Sequence, residues 1–501
     1  MLIRFARARR SAPLVAPLLS VALVCILWSV STPAQAHNTL EWALDGAAGW
    51  DQNPGYLPGL NLGHLSGGSS FSLYTGGSLF YTLLTPKLRV DLAGTAGYLK
   101  YSNSSYPSHV IASIDGKAQY TLLSRVLFWN ADETFGQATT NVLAGPSTLN
   151  STNINMFSTG PELIVPITYL WHFRFNASAG RTIYQNHTYP NDTRLQGSAA
   201  LVHDISRYTN MALQGTYEKI QYSSSGLYQG VSLAGLGYQN YPYSSYSLES
   251  AYLHYALQGF RNNVSVDAGE GFITQSGRTT TSPMIHLNLQ HRFTPHLSGA
   301  ILLAHDQTDT AAQFSHSLIY GRLPTSLNNL SYRPVSQNLI NGPVQTESVV
   351  TSATWTAPRT QFEVNANYSK NHYVDNSQWN STTYGVGAYF LHRFTRHVDL
   401  KLNASEERNT YASLFTHDNT LDASALLGWH VTRDTQLTFG YRFSRRSANR
   451  GGYSYIDNSL YIGFRFSPFS YVGFSNAMPT SFSGVGGTGP IVPINTPSVY
   501  Y

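Results

Sequence analysis

Phe439, Tyr441 and Phe443 alternate with Thr438, Gly440 and Arg442, and further on Leu460, Ile462, Phe464 and Phe466 alternate again, with Arg465 on the other side. Period two means strand, because successive side chains leave opposite faces of the pleat. One face here is strongly apolar, and the other carries arginine, hydroxyl and glycine. A soluble sheet would turn the apolar face to a core and the arginines to water. A membrane barrel would turn it to lipid and keep the polar face for a wet lumen.

The rest of the chain favours the barrel. Phe362, Val364, Ala366 and Tyr368 alternate with Glu363, Asn365, Asn367 and Ser369, and Val398, Leu400, Leu402 and Ala404 alternate with Asp399, Lys401, Asn403 and Ser405. Leu421, Ala423, Ala425, Leu427 and Trp429 do the same against Asp422, Ser424 and His430, with Leu426 falling on the polar side. HRFTPHLSGAILLAHD (291–306), HRFTRHVDLKLNASEE (392–407) and WHVTRDTQLTFGYRFS (429–444) each set a short turn with Thr and a basic residue between two such segments. Tight turns at one end and longer, Asn/Ser/Gly/Tyr-rich loops at the other are the asymmetry of outer-membrane barrels. The expectation is an all-β, antiparallel outer-membrane β-barrel of about 18–20 strands over residues 37–466, the strands running from Thr39 to Phe466, with an even number if both termini share one side. Two stretches leave the count open. Leu227 to Tyr246 reads as a long external loop or an extra hairpin, and Gly136 to Asn155 is also ambiguous. The loop 308–346, with Pro324, Pro334 and Pro343, is either a plain external loop, the simpler reading, or one that folds into the pore.

The first residues fit export. Arg4, Arg7, Arg9 and Arg10 precede an apolar run that exits at Ala34-Gln35-Ala36, the pattern of a secretory signal peptide over 1–36 with cleavage before His37. Cys25, the chain's single cysteine, follows Leu23 and Val24 rather than small residues and reads as a bystander within that signal. Setting the signal aside, the formal charge falls from +5 to +1, so the basic balance gives no reason to invoke nucleic acid. An exported chain without disulfides needs another source of cohesion, which a closed hydrogen-bonded sheet provides. Charged residues make up 11%, against about 25% in ordinary soluble domains, and beyond the signal no apolar run reaches the roughly 20 residues of a membrane helix. If this chain meets a bilayer, strands carry it across.

LTFGYRFSRRSANRGGYSYIDNSLYIGFRF resembles the C-terminal hairpin of a family of outer-membrane β-barrel porins, members of which accompany exopolysaccharide-export and PEP-CTERM-type systems. The likeness is strongest over 420–466. It implies the barrel fold, the bacterial outer membrane as location, outer-membrane lipid and the outer-membrane assembly machinery as partners, and polysaccharide-export components as further partners. Leu460, Ile462, Phe464 and Phe466 resemble the strand signal that assembly machinery recognises, although here Gly/Pro/Ser-rich residues 467–501 follow as a disordered periplasmic tail.

The polar positions Arg89, Asp91, Asp115, Lys117, Arg174, Glu363, Asp399, Lys401, Asp422, Arg442 and Arg465, together with Glu218 and Asp267, are candidate lumen-lining residues. Their mixed signs suit either a weakly selective pore or wall-stiffening ion pairs. His291/His296 and His392/His397 flank turns without a recurring third ligand, so they read as turn histidines and no metal is expected. Tyr384, Tyr441, Trp171, Trp355 and Trp429 suit belts at the bilayer edges. No nucleophile–base pair, phosphate loop or zinc spacing stands out, so neither an enzyme nor a cofactor is expected. The expected function is a passive conduit for polar solutes, more specifically an export porin for a secreted polysaccharide. The alternatives are a surface adhesin, or an enzyme embedded in a barrel that conducts nothing.

Overall fold

The computed structural model describes residues 37–56, 68–144, 147, 150–185, 189–223, 227–229, 240–242, 244–314, 342–374, 377–449 and 454–468. Residues 1–36, read above as a signal peptide, most of the tail and residues 315–341 lie outside the described residues. Twenty strands form one closed antiparallel sheet. In chain order they are β1 (His37–Asp51), β2 (Ser70–Leu84), β3 (Leu88–Tyr101), β4 (His109–Leu123), β5 (Leu127–Thr139), β6 (Ser151–Pro166), β7 (Trp171–Tyr184), β8 (Asp192–Ser206) and β9 (Thr209–Tyr222). They continue with β12 (Tyr246–Gln258), β13 (Asn262–Gln275), β14 (Arg278–Arg292), β15 (Leu297–Asp309), β16 (Pro343–Thr356), β17 (Thr360–Tyr373), β18 (Ser381–Arg393), β19 (Val398–Tyr411), β20 (Thr416–His430), β21 (Thr435–Ala448) and β22 (Tyr455–Phe466). Within the segment 227–246 the described β10 (Leu227–Gln229) and β11 (Asn240–Pro242) pair with each other and not with the wall. β1 closes the ring on β22, from Leu44↔Phe466 to Asp51↔Ser459. Closure joins the first strand to the last, so over most of its length each wall strand satisfies its backbone groups on both sides, as a bilayer demands.

The two ends differ as the sequence suggests. At the end shared by His37 and Phe466, nine connections are two to four residues long. Five of them use one device, in which a threonine hydroxyl accepts the backbone N–H three residues on: Leu88 to Thr85 (2.8 Å), Trp171 to Thr168 (3.1 Å), Leu297 to Thr294 (3.0 Å), Val398 to Thr395 (3.1 Å) and Thr435 to Thr432 (3.0 Å). This closes the turn locally and leaves its middle residues, often basic, free to face outward. At the opposite end the connections are mostly longer. Two are short: the four-residue 412–415, and Ser276-Gly277, where both residues have positive φ (51° and 77°), the geometry of a two-residue hairpin turn.

Burial is inverted relative to a soluble protein. Leu402, Phe362, Val364, Trp429, Phe439 and Phe464 are exposed on the outer face, whereas Asp399, Glu363, Thr438, Arg442 and Arg465 are buried on the inner one. Apolar packing is gathered at the long-loop end, in small clusters described below.

Candidate functional site: the lumen and its mouth

Contacts across the barrel fix which side chains point inward. Val142 and Leu143, from the β5–β6 connection, pack against Val344, Tyr373 and Tyr411 on β16, β17 and β19, so those residues and every second position along their strands face the lumen. By this register the candidates Arg89, Asp91, Asp115, Lys117, Arg174, Glu218, Asp267, Glu363, Asp399, Lys401, Asp422, Arg442 and Arg465 all occupy inward positions. They are spread round the wall, and most find a local partner. Arg89 meets Asp91 (2.8 Å), Arg174 meets Glu162 (2.6 Å), Arg442 meets Asp422 (3.6 Å), Arg465 meets Asp45 (3.9 Å) and Asp399 meets His430 (2.9 Å). Asp267 bridges His254 and His286, and His286 reaches on to Asp306 (3.3 Å), so four neighbouring strands carry one acid–imidazole row. Lys117 lies in register between Asp91 and Asp132, two strands apart. Glu363 is buried between Thr354 and Tyr389 in register. The wall is therefore polar, with its charges largely paired along it.

Two wall segments leave the cylinder at the long-loop end. β4 and β5 pair only between Ile114↔Phe135 and Leu123↔Leu127; beyond that β5 continues with β6 alone, and its residues Phe135–Thr139 are buried on both faces. The tip of this hairpin crosses the mouth. Asn150 closes its base by accepting from the Thr140 hydroxyl (2.7 Å) and the Asn141 N–H (2.9 Å). On the far wall Arg446, held by Asp418 (2.7 Å), donates to the carbonyls of Val142 (3.1 Å) and Ala144 (3.2 Å). Trp379 and Leu414 complete the apolar seat of Val142 and Leu143.

The second segment is the end of β15. Pairing with β14 stops at Ile285↔His305, and Asp306–Asp309 continue with β16 only. Gln307 lies over β13 and donates to the Gly271 carbonyl (3.1 Å). Asp309 then reaches β8, although β9, β12, β13 and β14 intervene round the wall, and accepts from both terminal nitrogens of Arg194 (2.7 and 3.2 Å). The same arginine meets Asp192 (3.0 Å) and Glu218 (3.1 Å), and the Tyr246 hydroxyl donates to Asp309 (3.2 Å). Residues 310–314 form a helical turn started by the Ala312 N–H bonding Asp309 (2.8 Å). Phe314, fully buried, packs against Ala138, Ile154, Tyr184 and Tyr189. Of the two readings of the 308–346 loop, its described beginning takes the inward one. The two infolded pieces touch each other through Phe314, Ala138 and Ile154.

Both rest on a collar of inward tyrosines at the strand ends, among them Tyr101, Tyr184, Tyr246, Tyr373, Tyr411 and Tyr455, which are all buried. Beside it, Tyr106 in the β3–β4 loop donates to the Gly68 carbonyl (3.2 Å), and burial raises its phenol above the usual range, so it remains a neutral donor. At the opposite end exposure varies round the wall. Side-chain exposure is 54% for Arg89 and 41% for Asp91 near the tight turns, against 6% for Arg446 and 1% for Asp418 at the mouth. Among the described residues, infolded segments cover the loop side, whereas the turn side mixes exposed inward residues such as Arg89 and Asp91 with buried ones such as Asp399, Gln436 and Arg465.

The alternation in the sequence marked inward positions but missed Arg194, Asp309, Arg446 and Asp418. One signal could have found the collar. Arg181/Tyr184, Lys219/Tyr222, Lys370/Tyr373 and Arg408/Tyr411 repeat a basic residue three before a terminal tyrosine, which sends the cation outward and the ring inward. The turn histidines bind across strands: His296 to the Thr356 carbonyl (2.8 Å), His397 to the His430 carbonyl (3.1 Å), His392 to Thr360 (2.8 Å) and His291 to Asn262 (2.5 Å). The belt candidates Tyr384, Tyr441, Trp171, Trp355 and Trp429 are all exposed on the outer face.

Comparison with known proteins gives one family. Residues 341–467, about a quarter of the chain from β16 to the closing strand, match the model of the family described as "putative beta-barrel porin 2". No curated protein matches the sequence. Among solved structures, the siderophore receptor PirA from Acinetobacter baumannii aligns at 9% identity over 86% of this chain and 81% of its own, with a TM-score of 0.45. A mutant of the ferric enterobactin receptor PfeA from Pseudomonas aeruginosa aligns at 10% identity over 86% and 81%, with a TM-score of 0.43. The FrpB iron transporter from Neisseria meningitidis aligns at 7% identity over 85% and 81%, with a TM-score of 0.41.

Proposed function

We propose that this protein is a channel of the bacterial outer membrane for hydrated, weakly charged polar solutes, and that its solute is a polysaccharide chain leaving the cell. The observation that carries the reading is the inner wall: a polar surface with paired charges, enclosed by an apolar outer face. Barrels enclose channels from about 16 to 18 strands, and this one has twenty. Paired charges leave the lumen with little net field, which suits a neutral or weakly charged polymer better than a small ion. The outward direction belongs to the same proposal, and the cover on the loop side supports it. If the tight turns face the periplasm, as short turns do in such barrels, the solute enters on the side of the exposed Arg89 and Asp91 and leaves past the covered mouth.

Planar-bilayer recording of the purified protein and of Asp309→Asn, which loosens the mouth, tests this. The expected result is current that neutral oligosaccharides reduce when added on the turn side. Absence of current in both proteins would overturn the reading in favour of an adhesin or enzyme on a closed barrel.

A further inference from the structure

The charge of the connections is segregated between the two ends. In the nine tight turns and the strand residues flanking them stand Lys87, Arg125, Arg207, Arg261, Arg292, Arg359, Arg393, Arg396 and Arg433, with Asp434 as the sole carboxylate. All nine cations are exposed. Counted the same way, the connections of the other end and their flanking strand residues carry Arg278, Arg322, Arg333 and Arg450 against Asp51, Asp192, Asp309 and Asp375 in their sequence, with no net charge. The local turn chemistry does not require this, because threonine hydroxyls and the backbone close the turns. Arg396, for one, donates to the neighbouring His397 ring within its own turn (2.9 Å).

Aromatic rings share the rim. Tyr169, Phe260, Phe293, Tyr208 and Phe394 are exposed beside these cations, the Arg207 guanidinium lies 4.6 Å from the Tyr208 ring centre, and that of Arg292 lies 5.5 Å from the Phe260 ring centre. Rings with an apolar body and cations above them match the level where acyl chains give way to phosphates. Phe293 also lies against Gly299, an outward position of β15. The distribution identifies the partner. Every tight turn except 167–170 carries or adjoins a cation, so the charge runs round nearly the whole circumference. A protein partner would touch one sector of that ring, whereas a membrane leaflet surrounds all of it.

We infer that the tight-turn rim is a binding surface for anionic phospholipid headgroups of the leaflet it faces, its arginines pairing with phosphates while the adjacent aromatics sit among the upper acyl carbons. The inference rests on the membrane placement proposed above but not on the identity of the solute.

Trp171, Trp355 and Trp429 stand on the outer face beside this rim and report on the lipids that touch it. The test reconstitutes the full chain in vesicles of phosphatidylcholine containing either brominated phosphatidylglycerol or brominated phosphatidylcholine and compares tryptophan quenching. Phosphatidylglycerol should associate about threefold to tenfold more strongly than phosphatidylcholine, and the preference should vanish at about 0.5 M salt. It should also vanish in a variant combining Arg125→Gln, Arg207→Gln, Arg261→Gln, Arg359→Gln and Arg396→Gln that keeps the heat-dependent gel shift of a folded barrel. Quenching without preference in the native protein overturns the inference. If the five-site variant then also loses anion over cation selectivity in planar bilayers, the rim is a funnel for anionic solutes. Failure to embed in vesicles would overturn the membrane reading itself, a different result from embedding without lipid preference.

Discussion

Replacing Asp309 by Asn should open the mouth. The carboxylate is buried and accepts two bonds from Arg194, one from Tyr246 and one from the Ala312 N–H that starts the inward helical turn. Asn keeps the shape and one acceptor but removes the charge that holds β15 to β8. Breaking a buried ion pair costs about 3–5 kcal/mol when the partner is left uncompensated. Arg194 retains Asp192 and Glu218, so a loss of about 2–3 kcal/mol from the closed arrangement is the better expectation. At about 1.4 kcal/mol per factor of ten, the closed-to-open ratio should fall roughly 30- to 140-fold. Single-channel open probability reads this directly, and swelling of vesicles in a tetrasaccharide provides a second readout. Arg194→Gln should act in the same direction, and the two together should cost less than the sum, because they remove one interaction. Unchanged open probability in Asp309→Asn and in the double variant Asp309→Asn/Phe314→Ala would show that the infolded β15 end does not control passage.

Three other outcomes are expected. Leu402→Arg should lower folding stability in vesicles by about 2–4 kcal/mol, as for a cation on the lipid face near mid-membrane, while Lys401→Leu one residue away should be nearly silent; equal tolerance would contradict the assigned faces. Phe464→Ala with Phe466→Ala should reduce insertion into the outer membrane, measured as the folded fraction on gels, whereas deletion of 467–501 should leave insertion intact. Gly97→Val should disturb the wall locally, since a Cβ at this position would stand 2.3 Å from the Tyr74 ring that lies across it; an unchanged melting temperature would contradict that packing.

What the sequence could reveal depended on range. The facing of Lys401 and Leu402 follows from period two alone, because one face meets lipid and the other water along the whole strand, and the strand range of 18–20 included the twenty observed. Stretch 227–246 was ambiguous because its apolar residues are too interrupted to set a face, and its described residues 227–229 and 240–242 form a short hairpin apart from the wall. Pairing inside the lumen was not legible. Arg194 and Asp309 stand far apart in the chain, and their meeting depends on β15 leaving β14 after His305, which no local residue announces. The same holds for Arg446, whose partners Val142 and Ala144 contribute backbone carbonyls rather than a side-chain motif. The turn cations were visible one by one, but their ring appears only when the tight turns gather at one end.

The sidedness of the lumen tests the whole account most directly. Asn403 is an exposed residue at an inward position of β19, and no cysteine follows residue 36, so Asn403→Cys supplies a unique thiol in residues 37–501. A bulky, membrane-impermeant maleimide applied to intact cells, and separately to cells with the periplasm made accessible, measures from which side this thiol is reached. The account predicts slow labelling from outside, rapid labelling from the periplasm, and outside labelling restored by adding Asp309→Asn/Phe314→Ala. Rapid labelling of the Asn403→Cys protein from outside in intact cells would contradict a lumen that is open at its turns and covered at its mouth.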